Sequence, residues 1–362
     1  MKKIILLAVM VLAAFLLVTA CAKQTPEVYS PSPSPSVSPS PSKSPSPSPS
    51  PSPSEAAYTN PLTGLPTDTD LSGKRPFAVM LNNLIPAQPQ VGVADADIIY
   101  ELMVEGGITR MLAVYQDISN VPEIGTVRSS RPYYLDLVQG LDAIYIHAGG
   151  SEDAYTEIRS RGIDNIDGVN GTGNEFYRDQ ERLKAAGQEH SMMTTGELIT
   201  SHLSDYGYNE DHNEDYTWNT TFAEDGTPAG GESAETVTVK FSYYKTGVFE
   251  YNSDDALYYI SQYGAPYVDG NTDEQVGVTN VVVIYVRYTL ITGQAKGYLS
   301  AEMTGTGTGY YACGGQYIPI TWSRESEDGQ FQYLTEDGTE VVFGVGRSYI
   351  NLVPMDAELW FE

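Results

Sequence analysis

The stretch ADIIYELMVEGGITRMLAVYQD, residues 96–117, decides how this chain folds. It contains two apolar runs of strand length, which are separated by Gly106 and Gly107. Two glycines between such runs predict a β-hairpin with a two-residue turn, because glycine adopts the positive φ angles that this turn needs. The turn would place Met103 opposite Arg110.

In this register Arg110 shares one face of the hairpin with Glu101 and Glu105, at diagonal positions that long side chains can bridge. The opposite face would be core, with Tyr100 and Leu102 among its residues. Buried carboxylates beside an arginine form either a self-satisfied ion pair or the polar floor of a site. The sequence leaves both alternatives open.

A second stretch, RSSRP, places Arg128 and Arg131 around a pair of serines. Basic side chains are scarce here, since the chain has 47 acidic against 20 basic residues and a formal net charge of −27. Ser129 or Ser130 is a good helix N-cap, and Pro132 suits a first helical turn. The apolar residues that follow have helical spacing, so a helix is predicted to begin at this point.

The predicted helix start is suited to an anion, because it presents free N–H groups and the positive end of the helix dipole. Arg128 and Arg131, three residues apart, can flank it. The anion would be a phosphate or carboxylate of a ligand, or the chain's own Glu101 or Glu105.

A third stretch, AIYIHAGG at residues 143–150, predicts a strand that leads into a helix capped by Ser151. A strand that ends in Gly149 and Gly150 before a capped helix is the crevice geometry in which α/β proteins bind ligands. His147 near the strand end is either a general base or a hydrogen-bonded, half-buried histidine.

These patterns together give two sets of candidate residues. The predicted ligand-binding residues are Arg110, Arg128, Ser129, Arg131, His147, Gly149, Gly150 and Ser151. The catalytic candidates are Glu101, Glu105, His147 and His190, the last of which precedes a helix predicted from about Thr195.

The first residues predict export. Residues 1–21 begin with Lys2 and Lys3, continue through an apolar run and end in small residues before Cys21, as in a secretory signal peptide. The sequence Val-Thr-Ala-Cys resembles a bacterial lipobox, so Cys21 is predicted to carry a lipid that anchors the protein to the outer face of the cell membrane. The Pro/Ser repeat within residues 22–57 favours extended geometry and predicts a disordered stalk.

Composition excludes several classes of partner and site. So acidic a surface repels nucleic acid. The chain has two cysteines, Cys21 and Cys313, and lipidation of the first would leave no pair for a disulfide or for a cysteine-based metal site. The sequence contains no HExxH, Walker or GxSxG motif, so we predict neither a metal nor a cofactor.

The residues that follow the predicted signal peptide and stalk are sufficient for two domains. Strands and helices alternate over residues 58–206, which predicts an α/β domain, and strand patterns dominate residues 236–362. Between them, residues 207–235 are acidic and have neither hydrophobic period, which predicts a linker or loop. The predicted fold class is therefore α+β, with a mixed N-terminal domain and a mostly β C-terminal domain.

Five strings carry a resemblance to a known family: RPFAVMLNN, ADIIYELMVEGGITRMLAVYQD, IGTVRSSRPYYLDL, HAGGSEDAY and DGTEVVFGVGRSYINLVP. They resemble the YerB-like lipoprotein family of Gram-positive bacteria, from about Asn60 to Pro354. The resemblance implies a lipoprotein of two domains, each of unknown function. The string EHSMM departs from the family pattern, which more often reads His-Asn-Leu-Tyr there.

Three functions are compatible with these observations. The first is a lipid-anchored extracytoplasmic protein that binds a cell-wall component or an anionic small molecule at the arginine and serine residues. The second is an envelope hydrolase or transferase in which Glu105 or Glu101 and His147 perform acid–base chemistry. The third is a protein-interaction module that docks a partner on the strands of the second domain.

Overall fold

A computed structural model describes residues 57–171, 173–293 and 296–362 of the chain. The predicted signal peptide, Cys21 and residues 22–56 of the predicted stalk lie outside these residues. Glu55–Glu362 forms one compact unit. Within the described ranges, none of the helices combines the length and apolar character needed to cross a bilayer.

Strands outnumber helices in the described part of the chain. The helices are α1 Pro132–Gly140, α2 Glu152–Arg161, α3 Gln180–Ala186 and α4 Gly196–Tyr206, with short 3-10 turns at Ile85–Ala87, Glu105–Gly107 and Gln188–His190. The strands of the first half are β1 Tyr58–Thr59, β2 Pro66–Thr67, β3 Phe77–Asn82, β4 Ile98–Met103, β5 Thr109–Tyr115, β6 Ile124–Gly125, β7 Ile144–His147, β8 Asn165–Asp167, β9 Tyr177–Arg178 and β10 Met192–Thr194.

The second half consists of strands. They are β11 Thr221–Ala223, β12 Glu232–Ser233, β13 Thr236–Lys240, β14 Thr246–Asn252, β15 Leu257–Gln262, β16 Ala265–Pro266, β17 Gly277–Val278, β18 Asn280–Leu290, β19 Leu299–Glu302, β20 Gly305–Cys313, β21 Gln316–Arg324, β22 Gln332–Thr335, β23 Val342–Gly344, β24 Ser348–Pro354 and β25 Glu358–Phe361. The fold is therefore mixed α+β with strand predominating.

One twelve-stranded sheet runs through both halves of the sequence. Its main path is β12-β21-β20-β18-β24-β4-β5-β3-β7-β8, with β19 and β22 attached to β18 and β21. A six-stranded sheet of β13 to β17 and β25 accompanies it. Residues 207–235, predicted as a linker or loop, contain β11 and β12 and pair with strands of the second half.

Strand β24 joins the two halves. It lies parallel to β18 on one side, where Asn280 pairs with Ser348, and parallel to β4 on the other, where Ser348 pairs with Ile98. Its seven residues are all buried, as is usual for a parallel strand covered on both faces. A strand from near the C-terminus therefore completes the sheet that the first half begins.

The predicted hairpin is present, but its register differs by one residue from the prediction. The turn is not the two glycines alone, because the N–H of Val104 donates to the carbonyl of Ile108 over 2.8 Å and encloses a 3-10 turn. Arg110 consequently pairs with Leu102, and Glu101 pairs with Met111. Since a one-residue slip moves a side chain to the other face, Glu101 and Arg110 point to opposite sides of the sheet, and their predicted proximity was wrong.

Both faces of this hairpin are core. Ile99, Met111 and Tyr115 belong to one buried cluster, which continues into the six-stranded sheet. Tyr100 and Leu102 belong to the other, which packs under α1. Polar side chains on either face are therefore sealed from solvent and need partners within the protein.

Candidate functional site

The RSSRP segment lies beside the end of β7. The N–H of Ser130 donates to Gly149 (2.9 Å) and the N–H of Ala148 donates to Arg128 (3.0 Å), which fixes the two segments side by side. Arg110 joins them from β5, because its Nη1 donates to the carbonyl of Ser129 over 2.5 Å. The structure therefore brings most of the predicted ligand-binding residues together.

The helix start differs from the prediction. Arg131 is the N-cap residue of α1, and no side chain caps this helix start. The hydroxyl of Ser129 instead donates to the carbonyl of Ala148 (3.0 Å), and the hydroxyl of Ser130 is buried near that of Tyr145, where it caps no helix. Ser151, in contrast, caps α2 as predicted by accepting from the N–H of Ala154 over 3.2 Å.

Glu105 occupies the centre of the arginine cluster. Arg131 donates from Nε (3.0 Å) and Nη2 to the two carboxylate oxygens of Glu105, and Nη2 of Arg110 lies 3.3 Å from Oε1. Burial alone would raise the pKa of Glu105, but the two guanidinium groups lower it. Burial, together with the charge of Arg131, lowers the pKa of Arg110 to about 10. The sequence left open whether a ligand anion or a glutamate of the chain pairs with these arginines. In the structure, Glu105 of the hairpin pairs with Arg110 and Arg131.

Arg128 is held differently from its two neighbours. Its Nη2 donates to Glu189 over 2.7 Å, and the side chain of Glu189 is 69% exposed while that of Arg128 is 17% exposed. The adjacent His190 accepts at Nδ1 from the amide of Asn82 (2.9 Å). Burial and the charge of Arg128 lower the pKa of His190. Arg128 thus has a partner that solvent reaches freely.

Asp167 fills the crevice at the end of β7. Its Oδ1 accepts from the N–H groups of Gly149 (2.8 Å) and Val169 (3.0 Å), and its Oδ2 accepts from the hydroxyl of Tyr155 (2.8 Å). Burial alone would raise the pKa of Asp167, but these bonds and the nearby imidazole lower it. In the crevice where the sequence predicts a ligand, the backbone N–H of Gly149 therefore binds a carboxylate of the chain itself.

His147 is fully buried rather than half-buried. Its Nδ1–H donates to the carbonyl of Gly149 (2.8 Å), its Nε2 lies 3.2 Å from the amide oxygen of Asn165, and its ring stacks on Tyr145. These contacts hold the bend between β7 and α2. This environment is that of a hydrogen-bonded structural histidine, the second of the two roles predicted for His147.

Glu101 belongs to a separate buried centre. It accepts from Asn83 (2.7 Å), Thr109 and Tyr349 (2.7 Å), and Lys245 lies 3.3 Å from its Oε1. Both charged side chains are 1% exposed. Burial lowers the pKa of Lys245, and the charge of Glu101 opposes that shift. The pair links the hairpin of the first half to the β13–β14 turn of the second.

Sequence reasoning missed three residues that organise this region. Asp167 ends a short strand and precedes a glycine, which is a recognisable position for backbone hydrogen bonding. Glu189 and Lys245 gave no local signal, because their partners lie 61 residues away at Arg128 and 144 residues away at Glu101.

Comparison with known proteins defines the family. Residues 62–209 match the family model "Protein of unknown function (DUF3048) N-terminal domain", and residues 237–350 match its C-terminal domain. The chain belongs to this family, which confirms the resemblance inferred from its sequence strings.

Two comparisons lead to one particular relative. The chain is 30% identical over 301 residues to "Putative lipoprotein YerB" of Bacillus subtilis (strain 168), covering 81% of this chain and 86% of the relative. The crystal structure of YerB protein from Bacillus subtilis matches with a TM-score of 0.73 and 27% identity, over 83% of this chain and 99% of that chain.

Proposed function

We propose that this protein is a lipid-anchored extracytoplasmic component of the cell envelope that binds an anionic ligand beside Arg128. The anchor is supported by the small residues that precede Cys21 and by similarity to a protein named as a lipoprotein. The ligand is supported by one observation: Arg128 is mostly buried, yet its carboxylate partner is mostly exposed.

The charge balance favours an anion at this position. Arg110, Arg128 and Arg131 converge on the two carboxylates of Glu105 and Glu189, which leaves one excess positive charge. Glu105 is held by two arginines, whereas Glu189 lies on a short 3-10 turn with a single ion pair of the weak, exposed kind. A phosphate or carboxylate of an envelope component would replace Glu189 and leave Glu105 in place.

The anchor is tested by exchanging each cysteine of the full-length chain. Cys21→Ser should move the protein from the membrane fraction to the medium and remove the lipid mass from its N-terminal peptide. Cys313→Ser is the matched control, because Cys313 is buried in β20 and lies far along the sequence from the signal peptide. Membrane retention of the Cys21 variant would contradict the proposal.

The ligand is tested by calorimetric titration of the exported portion with poly(glycerol phosphate) teichoic-acid fragments and with muropeptides. Arg128→Gln should weaken the binding of one of them at least tenfold, and the binding should weaken as salt is raised. Arg159→Gln is the control, since Arg159 lies exposed on α2 with one weak contact to Thr156. Equal binding by both variants would contradict a site at Arg128.

A hydrolase or transferase has less support. Glu105 is engaged by two arginines, Glu101 is sealed beside Lys245, and His147 is fully buried. A general acid or base must come within hydrogen-bond reach of a substrate, which these environments oppose. We therefore do not propose catalysis by these residues.

A further inference from the structure

A pocket lies where the two halves of the large sheet meet. It rests on β4 and β24, and α1 and the strand ends of the second half surround it. It offers about 40 Å³ for solvent, which is room for about three water molecules. Apolar side chains form most of its wall, among them Ile98, Leu137, Phe222, Phe331, Phe343 and Ile350.

Two buried polar groups line this pocket with unused hydrogen-bonding capacity. Arg324 is 2% exposed and donates to the carbonyls of Gly329 (2.7 Å), Glu327 (2.6 Å) and Asp136, but its Nη1 donates to no acceptor within the described ranges. The nearest carboxylate oxygen to that nitrogen, on Asp136, is 3.8 Å away. Tyr333 is 8% exposed, and its hydroxyl likewise has no partner there.

Arg324 and Tyr333 determine which kind of ligand the pocket can bind. Arg324 is the one charged side chain among the described residues that line it. A buried donor without an acceptor is costly, so a ligand that brings an acceptor to it gains binding free energy. A guanidinium and a hydroxyl in an apolar wall are suited to a carboxylate with an apolar body.

A short strap, residues 217–220, covers the pocket. Trp218, Asn219 and Thr220 line the pocket from this side. Three hydrogen bonds attach the strap to the neighbouring loop, and each uses a side chain: Gln330 donates to Thr217 (2.7 Å), the N–H of Asn219 donates to Gln330 (3.3 Å), and the amide of Asn219 donates to Phe331 (2.8 Å). The indole of Trp218 also donates to the carbonyl of Ser72 (2.9 Å), so lifting the strap breaks side-chain hydrogen bonds at both places but no β-ladder.

We propose that this pocket binds a small carboxylate with an apolar body, such as a short acyl or aryl acid. The ligand is larger than the solvent that the closed pocket holds, so the strap moves outward to make room for it. The carboxylate then accepts from Nη1 of Arg324 and from the hydroxyl of Tyr333, and the apolar body lies between the apolar wall and the displaced strap. This site is separate from the one proposed at Arg128, so either can fail without the other.

The probes are hexanoate and phenylacetate, with acetate as an anion that lacks the apolar body. Each is titrated into the exported portion by calorimetry, and the fluorescence of Trp218 is recorded because this residue lines the pocket. Hexanoate or phenylacetate should saturate at one per chain and change the fluorescence, whereas acetate should not saturate at the same concentrations. Trp218→Phe should remove most of the fluorescence change, which would identify Trp218 as its source.

Tyr333→Phe isolates the proposed contact, because it removes a hydroxyl without breaking a hydrogen bond of the fold. It should weaken binding of the probe about tenfold, the usual worth of a hydrogen bond to a charged group, and leave the melting temperature unchanged. Tyr145→Phe is the control, since Tyr145 is also buried but does not line the pocket. Absence of saturable binding, which would mean that the pocket holds water only, or equal affinity in the wild type and Tyr333→Phe, would overturn the proposal.

Discussion

Glu105 is the residue on which the arginine cluster depends. It is the shared carboxylate of Arg110 and Arg131, and the side chains of all three are largely buried. Removing one member of a buried ion network leaves the others charged and unpaired, which is strongly unfavourable. We expect Glu105→Gln to lower the free energy of unfolding by about 2 to 3 kcal/mol, measured by urea denaturation.

The same substitution at Glu189, the partner of Arg128, provides the comparison. Glu189→Gln removes an exposed partner of Arg128 and should alter stability by less than about 0.5 kcal/mol. If the two glutamine variants were equally stable, Glu105 would not hold the cluster together.

Asp97, just before β4, should make stability depend on pH. It accepts from the N–H of Gln116 (2.6 Å) and from Asn60 (2.9 Å), but burial raises its pKa to about 6. An unfolded aspartate titrates near pH 4, so the folded state binds the proton more tightly. This contribution to stability is complete below about pH 4 and is lost as pH rises through about 6.

Asp97→Asn removes that titration. The stability of the variant relative to the wild type should therefore increase from pH 4 to pH 7, as measured by denaturation at each pH. A constant difference between the two proteins over this range would contradict the raised pKa of Asp97.

At the scale of the elements, the two helix starts differ although a serine lies near each of them. Ser151 is the N-cap of α2, whereas Ser130 precedes Arg131, the N-cap residue of α1, and caps nothing. Ser151→Ala should lower stability by about 1 kcal/mol, the usual worth of an N-cap, and Ser130→Ala should change it by less than about 0.3 kcal/mol. Thermal denaturation of both variants distinguishes the roles, and equal losses would contradict them.

The sequence patterns predicted the positions of strands and helices better than they predicted the contacts between them. Apolar periodicity and glycine positions predicted β4, β5, β7 and the helices after Ser151 and Thr195, because these signals are local. The register of the hairpin was wrong because two glycines do not fix whether the turn has two or three residues. That one-residue difference moved Glu101 to the other face, where Lys245 is its partner.

The closure of the anion site also could not be read from the sequence. Glu105 was a candidate from the sequence and Asp167 was not, but only the packing of distant segments puts these two residues against Arg131 and Gly149. Tertiary contacts of this kind have no spacing rule, and a ligand anion and a side-chain carboxylate satisfy the same donors.

At the scale of the whole molecule, β24 should make the two halves unfold together. Leu352 is fully buried in β24, paired with Ile284 on one side and Leu102 on the other. Leu352→Ala should cost about 2 to 5 kcal/mol, as large-to-small core changes do, and should reduce hydrogen-exchange protection in β5 and β20 alike. Val342→Ala, at an exposed position of β23, is the control. Loss of protection in only one half would show that the halves are independent.

The position of β24 also has a consequence for folding during synthesis. The first half emerges before residues 348–354, so the edge of β4 that they cover has no partner until nearly the whole chain has been made. An unpaired strand edge is a site of aggregation and of wrong pairing. Late delivery of the last strand therefore prolongs the interval in which the edge of β4 is open to wrong pairing, and chaperones would have to shield the new chain during that interval.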